Sequence, residues 1–174
     1  MTDRLNQPIS ARVHKVSLSD GGVPKHAVPV AQVTVNGLTG DRQRNRKVHG
    51  GPDRAVCLYS HEIIQALRAE GHSIGPGSAG ENLTVTGIDW ASLGPGDRLA
   101  IGADLELEIT GYTAPCRLNG QWFKDGNSER MAQEAHPGWS RLYARVLVEG
   151  IVQQGDEIRV LHSNRTGKSN EARP

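Results

Sequence analysis

The sequence predicts a mainly β fold, a barrel of short strands with a few short helices, and three observations predict it. Apolar residues alternate with polar ones in several short runs. Glycine accounts for 21 of 174 residues, well above the usual level of about 7%, so tight turns should be frequent. Helical periodicity is confined to two stretches. Many short strands joined by glycine-rich turns point to a barrel or tight sandwich.

The elements follow in chain order. Val33 and Val35 alternate in a predicted strand over 28–35. Ala55–Tyr59 is nearly all apolar and reads as a strand buried on both faces. Ser60 is placed to cap a helix over 61–70, with Ile63, Ile64 and Leu67 on one face and Gly71 as its stop. Leu83 and Val85 alternate with Thr84 and Thr86. The clearest strand is 104–110, with Leu105, Leu107 and Ile109 on one side and Glu106 and Glu108 on the other. A second helix is expected after Asn127 or Ser128, with Met131, Ala132 and Ala135 inward, ending before Pro137. Ala144, Val146 and Val148 mark a strand ending at Gly150, and Ile158 and Val160 mark the last one. Two stretches echo each other, Gly96-Asp97-Arg98-Leu99-Ala100-Ile101 and Gly155-Asp156-Glu157-Ile158-Arg159-Val160, each a Gly-Asp turn entering an alternating strand.

One domain over residues 10–162 is the expected organisation. Residues 1–9 read as a flexible N-terminus and 163–174 as a disordered polar tail, since the tail holds no apolar residue larger than Ala. Twenty Lys+Arg balance nineteen Asp+Glu, for a formal charge of +1. A globally electrostatic nucleic-acid or membrane binder is not expected from that balance. Arg42, Arg44, Arg46 and Lys47 form a small basic patch, but the seven aromatic residues give little for bases to stack on. No apolar run approaches the roughly 20 residues that cross a bilayer. The opening MTDRLNQPISARV lacks the apolar centre of a signal peptide. Cys57 and Cys116 give no disulfide framework; free thiols in a reducing compartment are expected, hence a cytoplasmic location.

Three constellations carry candidate chemistry. The segment 40–54 holds Asp41, Arg42, Arg44, Arg46, Lys47, His49, the pair Gly50-Gly51, Pro52, Asp53 and Arg54. Paired glycines let backbone N–H groups approach an anion, and arginine supplies forked donors for phosphate or carboxylate. The same segment also reads as a solvated loop. His49 reads either as an acid/base or ligand-orienting group or as a partner for a turn carbonyl. Glu81 and Asn82, at the mouth of a strand, face a ligand or simply make a turn. In 113–119, Cys116 follows a strand end, with Pro115 before it and Arg117 after it. A thiolate there is a nucleophile or a soft-metal ligand, and a neutral thiol there is a small hydrophobe. Cys57 lies inside an apolar run and reads as core. Glu106 and Glu108 read as a solvent face. There is no Cys-x-x-Cys spacing for zinc and no Gly-x-Ser-x-Gly elbow.

In this order, GDRQRNRKVHGGPDRAV (40–56), GENLTVTG (80–87), the strand pair with its Gly-Asp turn (94–110), APCRLN (114–119) and the ending RLYARVLVEGIVQQGDEIRV resemble the MOSC domain family, named after the C-terminal part of molybdenum cofactor sulfurases. The resemblance is nearest to its short, stand-alone YiiM-like branch. It implies a MOSC-type β-barrel and a molybdenum–pterin cofactor, Mo-molybdopterin, held in a cleft. Carried onto this chain, it implies Cys116 as the catalytic residue and metal ligand. Arg42, Lys47 and Arg54 are then expected to contact phosphate and pterin, with His49, Gly50 and Gly51 shaping the pocket. Asn82 and Arg117 are expected to line it, and Asn119 to stand behind it. The implied reaction is reduction of N-hydroxylated compounds such as hydroxylated purines and amidoximes. No flavin, haem or iron–sulfur motif is present, so electrons are expected from a separate reductase. The alternatives are a non-catalytic cofactor carrier and a sulfur carrier holding a persulfide on Cys116.

Overall fold

Alternating burial along short runs builds most of the chain into strands. The structure, a computed structural model, describes residues 10–42 and 50–161. The expectations for 1–9 and 163–174, and for Lys47 and His49, lie outside the described residues. The strands are β1 (Arg12–Leu18), β2 (His26–Val28), β3 (Val30–Thr34), β4 (Gly37–Leu38), β5 (Val56–Ser60), β6 (Leu83–Thr86), β7 (Arg98–Ile101), β8 (Leu105–Thr113), β9 (Arg141–Val148), β10 (Gly150–Gln153) and β11 (Ile158–Leu161). Helix α1 (His61–Ala69) follows β5 directly. Mainly β with few helices is what the chain adopts.

The barrel is not. Eight strands form one open sheet in the order β11-β7-β8-β9-β5-β6-β1-β2, and β10-β3-β4 form a second, smaller sheet. All ladders are antiparallel except β5 with β6. Strand β1, next to the large sheet's β2 edge, meets the chain entering β11 at an isolated bridge between Arg12 and Glu157 and through backbone hydrogen bonds at Ala11 and Val13, but β11 and β2 do not pair into a closed ladder. The reason lies at the end of β9. There the chain turns out of the large sheet, and β10 pairs with β3 instead of carrying the ladder around. Gly150 makes the turn possible, because a Cβ there would stand 2.9 Å from the Leu105 backbone nitrogen. The run expected over 28–35 is divided in the same way. Pro29 has no N–H to give a ladder, so β2 ends before it in one sheet and β3 begins after it in the other. Val35 falls beyond β3 and is exposed.

One continuous apolar cluster joins the layers. It includes Leu58, Leu83, Leu99, Leu105, Leu107 and Ile109 of the large sheet, Ala31, Val33, Leu38 and Val152 of the small sheet, and Ile64 and Leu67 of α1. Burying the last two holds the helix down with about 2 kcal/mol each. Ser60 Oγ accepts from the Ile63 N–H as its cap. Glu62 then fastens α1 to the end of β6, accepting from Thr86 Oγ1 at 2.6 Å and from the Gly87 N–H at 2.8 Å. The second expected helix is only a 3-10 turn, Ser128–Met131, capped by Asn127. Met131 is buried as expected, but the backbone is already extended at Ala132, which ends the turn there, and Arg130 reaches Glu70 and the face of the Trp139 ring.

The two echoing stretches turn out to be partners. β7 and β11 pair antiparallel, Leu99 opposite Val160 and Ile101 opposite Ile158. Each is entered by the same turn. Asp97 Oδ2 accepts from the Gly94 N–H and Asp156 Oδ2 from the Gln153 N–H, both at 2.9 Å, with Gly96 and Gly155 in the left-handed region.

Candidate functional site

Strand β8 ends at Thr113, and Ala114-Pro115-Cys116 leads off its end into a 3-10 turn, Arg117–Trp122. The turn fixes Cys116 from the far side, with the Asn119 N–H donating to the Cys116 carbonyl at 2.9 Å. The Cys116 thiol is free and half-buried. It opens on a cleft of about 120 Å³ whose walls include Val23, Lys25, Arg42, Cys57, Asn82, Leu118, Arg141 and Tyr143. Of the residues expected at a site, Arg42, Asn82 and Cys116 thus share one cleft.

Asn82 serves the wall of that cleft. Its Oδ1 accepts from the Cys57 N–H at 3.1 Å, and its Nδ2 donates to Asp41 Oδ2 at 2.9 Å and to the Ser17 carbonyl at 3.4 Å. Asp41 in turn is paired with the buried Lys25 ammonium and accepts from the Ser19 N–H at 2.9 Å. This network ties β1, β5, β6 and the start of the basic segment together. Arg42 is exposed and reaches Asp20 at 3.3 Å.

Arg141 is the buried cation of the cleft. Its Nη1 donates to the Ala79 carbonyl at 2.6 Å and its Nη2 to the Ala114 carbonyl at 3.1 Å. Among the described residues it forms no ion pair, and its Nε is buried without a partner. Cys57 stands opposite Tyr143 across the β5–β9 ladder. Burial pushes the Cys57 thiol up, with the Arg141 charge opposing, so it remains a protonated thiol. Burial also pushes the Tyr143 hydroxyl up. Glu81, fully buried, accepts from the Gly77 N–H at 2.7 Å and Thr84 Oγ1 at 3.0 Å, and burial raises its carboxyl above the ordinary range.

The other expected residues are placed apart. Gly50 and Gly51 border a neighbouring hollow of about 410 Å³, with Asp41 and Gly37 on its other side. Arg54 stands at a third hollow, of about 500 Å³, that meets the Cys116 cleft along Tyr143. Arg117 is exposed and does not line the cleft. Asn119 is fully buried, and its amide finds no partner among the described residues.

Sequence reasoning does not single out Arg141, Tyr143 or Lys25; Cys57 is buried, as a core reading expects, and also lines the cleft. The signal for the first two was present in β9. Leu142, Ala144 and Val146 face the core, so Arg141, Tyr143 and Arg145 form a cation–aromatic–cation row on the opposite face. Cys57 joins that face by register with Tyr143. Nothing local marks Lys25, whose burial depends on a distant Asp41.

A family model described as MOSC domain matches residues 45–159. YflK of Bacillus subtilis is 26% identical over 166 residues, covering 95% of this chain and 74% of its own length. YiiM of Escherichia coli is 28% identical over 146 residues, covering 78% of this chain and 64% of its own length. A Gibberella moniliformis protein named Reductase is 30% identical over 133 residues, which cover 74% of this chain and 23% of that protein. Among solved structures, YiiM from Geobacillus stearothermophilus shares the fold with a TM-score of 0.69 at 19% identity, covering 87% of this chain and 75% of its own. The YuaD protein from Bacillus subtilis does so with a TM-score of 0.68 at 20% identity, covering 87% and 96%. Among the described residues no helix is long and apolar enough to cross a membrane.

Proposed function

We propose, from the premise that this chain belongs to the MOSC domain family and to its stand-alone YiiM-like branch, that it holds a molybdenum–pterin cofactor through Cys116 and reduces N-hydroxylated compounds with electrons from a separate reductase. The observation that carries this reading is one cleft holding a free thiol, Cys116, and a buried guanidinium, Arg141, that forms no ion pair among the described residues.

The residues present fit such a group. Cys116 offers a soft sulfur ligand, and the described residues gather no His, Cys, Asp or Glu cluster of metal-binding size, so a metal there would bring its other ligands with it. Lys25, Arg42 and Arg141 bring three cationic groups to the cleft; Asp41 matches Lys25 and Asp20 matches Arg42, which leaves the Arg141 charge without a carboxylate partner among the described residues. That balance suits an anionic ligand. The cleft of about 120 Å³ has room for a metal and its small ligands. The hollow beside Gly50 and Gly51 is the side on which pterin and phosphate would extend, with backbone N–H groups of that turn as donors and Arg42 on the side of the Cys116 cleft.

When bound, the molybdenum supplies two-electron exchange together with acceptance of an oxygen atom from the substrate. The chain's own contribution is placement. Arg141 holds the carbonyl two residues before Cys116, which sets where its sulfur stands. The Lys25–Asp41–Asn82 network fixes the facing wall. The Tyr143 ring and Leu118 give the cleft apolar surface beside Cys116.

The test is molybdenum and pterin content of protein expressed with molybdate, beside Cys116→Ala, followed by benzamidoxime reduction with a chemical electron donor. Near-stoichiometric molybdenum lost in the variant, with turnover in the parent, is the expected result. Unchanged metal in Cys116→Ala overturns the ligand assignment. Bound cofactor without turnover points to a carrier. No metal in either, with a labile extra sulfur on Cys116 by mass spectrometry, points to a sulfur carrier.

A further inference from the structure

The third hollow has a floor that the fold itself does not require. Across the β8–β9 ladder, Ile109 pairs with Ala144 and Gly111 with Tyr143, so Thr110 is an extra residue on β8, a bulge. The bulge brings Gly111 opposite Tyr143. Gly111 has ordinary backbone geometry, and a Cβ built on it would meet nothing within 4 Å. Neither conformation nor crowding calls for glycine at that position. What the missing side chain does is leave open the space of about 500 Å³ above it.

The walls of that space are built. Thr110 Oγ1 donates to the Asp53 carbonyl, which holds the 3-10 turn Pro52–Arg54 over the bulge and sets Arg54 with its guanidinium 5.5 Å from the Tyr143 ring centre. Arg145, next on the outward face of β9, is 45% exposed and met only loosely, by Asp53 at 3.4 Å and Glu108 at 3.7 Å. Tyr112 stands 41% exposed at the edge. The lining therefore offers two aromatic rings and two guanidinium groups against the Asp53 carboxylate, with Glu108 beside Arg145 just outside it, and its Tyr143 wall is shared with the Cys116 cleft.

We propose that this hollow is a binding site for a planar aromatic anion, the ring lying over Gly111 against Tyr143 and the carboxylate or phosphate taken by Arg145 and Arg54. Resting on the cofactor reading above, it is the substrate side of the Cys116 cleft, which makes aromatic N-hydroxylated compounds bearing an acidic group the preferred class. The pterin and its phosphate are also a flat ring with an anionic end, so the experiment separates the two.

The full chain is titrated with 1-naphthoate by calorimetry, with 1-naphthylmethylamine and cyclohexanecarboxylate as the cationic and non-aromatic controls. Gly111→Leu fills the floor, and Arg145→Gln removes a charge without touching the backbone. Naphthoate should saturate, bind at least about tenfold tighter than either control, and weaken about tenfold or more in each variant. Molybdenum and pterin content in Gly111→Leu should match the parent. No saturation by naphthoate, equal binding of the controls, or unchanged affinity in Arg145→Gln overturns the proposal. Loss of pterin in a folded Gly111→Leu overturns it too, assigning the hollow to the cofactor. Because the titration needs no cofactor, a chain that binds naphthoate but no molybdenum overturns only the cofactor reading.

Discussion

Arg141 holds the carbonyl oxygen of Ala114 at 3.1 Å, so a residue on β9 fixes the segment that carries Cys116 after β8. The same guanidinium holds the Ala79 carbonyl at 2.6 Å. Two loops that meet nowhere in sequence are joined by one planar group. Replacing it with Met fills the volume but leaves both carbonyls without this donor. Arg141→Met should cost about 2–3 kcal/mol in urea denaturation. It should also speed alkylation of Cys116 by iodoacetamide in the folded protein, because the cysteine loop loses its tether. Arg141→Lys, with a single donor head, should restore only part of either effect.

Asn82 reaches Asp41 with a donor, and Asp41 has no room for a second negative charge. Asn82→Asp places a carboxylate against it, inside a wall where Asn82 is 2% exposed. The variant should lose about 3 kcal/mol near neutral pH. Chemical denaturation at pH 7.5 measures the loss.

Glu62 reports the attachment of α1. Burial raises its carboxyl, but the hydrogen bonds from Thr86, Gly87 and Ser60 outweigh that and hold it below the usual carboxylate range. A lowered folded value means stability that is complete above the unfolded pKa and lost as pH falls through the folded one. Glu62→Gln should therefore destabilise by about 0.5–1 kcal/mol at pH 7, a figure kept small by solvent at the helix surface. The gap between variant and parent should narrow steadily below pH 4.5 in thermal melts.

Gly77 and Gly21 share a left-handed backbone but differ in surroundings. A Cβ at Gly77 would stand 2.3 Å from the Lys25 carbonyl oxygen, whereas at Gly21 it meets nothing within 4 Å. Gly21→Ala should cost only the conformational strain, about 1–2 kcal/mol. Gly77→Ala should cost clearly more, because the chain at Lys25 must move and take the Asp41 pairing with it. Urea midpoints of the two variants give the comparison.

Much of the fold was legible in the alternation. Leu105, Leu107 and Ile109, Leu83 and Val85, and the buried run Val56–Tyr59 all lie in the strands predicted for them, and Ser60 caps the predicted helix. Closure was not legible. Whether strands form a barrel depends on where a ladder is abandoned, and that is decided at Gly150 and Pro29 by contacts between distant segments. At the site, Cys116 and Asn82 stood out because they end or begin strands at turns. Lys25 and Arg141 did not, since a charged residue is recognised as buried only once its remote partners, Asp41 for one and the Ala79 and Ala114 carbonyls for the other, are known. Gly50 and Arg54 belong to one continuous segment in sequence, yet the turn at Pro52 sends them to different hollows.

Strand β9 divides its labour by parity. Even-numbered Leu142, Ala144 and Val146 pack inward, while odd-numbered Arg141, Tyr143 and Arg145 face the two adjoining clefts. Changes in what the protein selects can accumulate at Tyr143 and Arg145 without disturbing the interior. Arg141, tied to two backbone carbonyls, is the one outward position that selection cannot vary freely. A library randomised at 112, 143 and 145 would therefore explore new ligands at little risk to folding, and one randomised at 142, 144 and 146 would explore mostly unfolded chains.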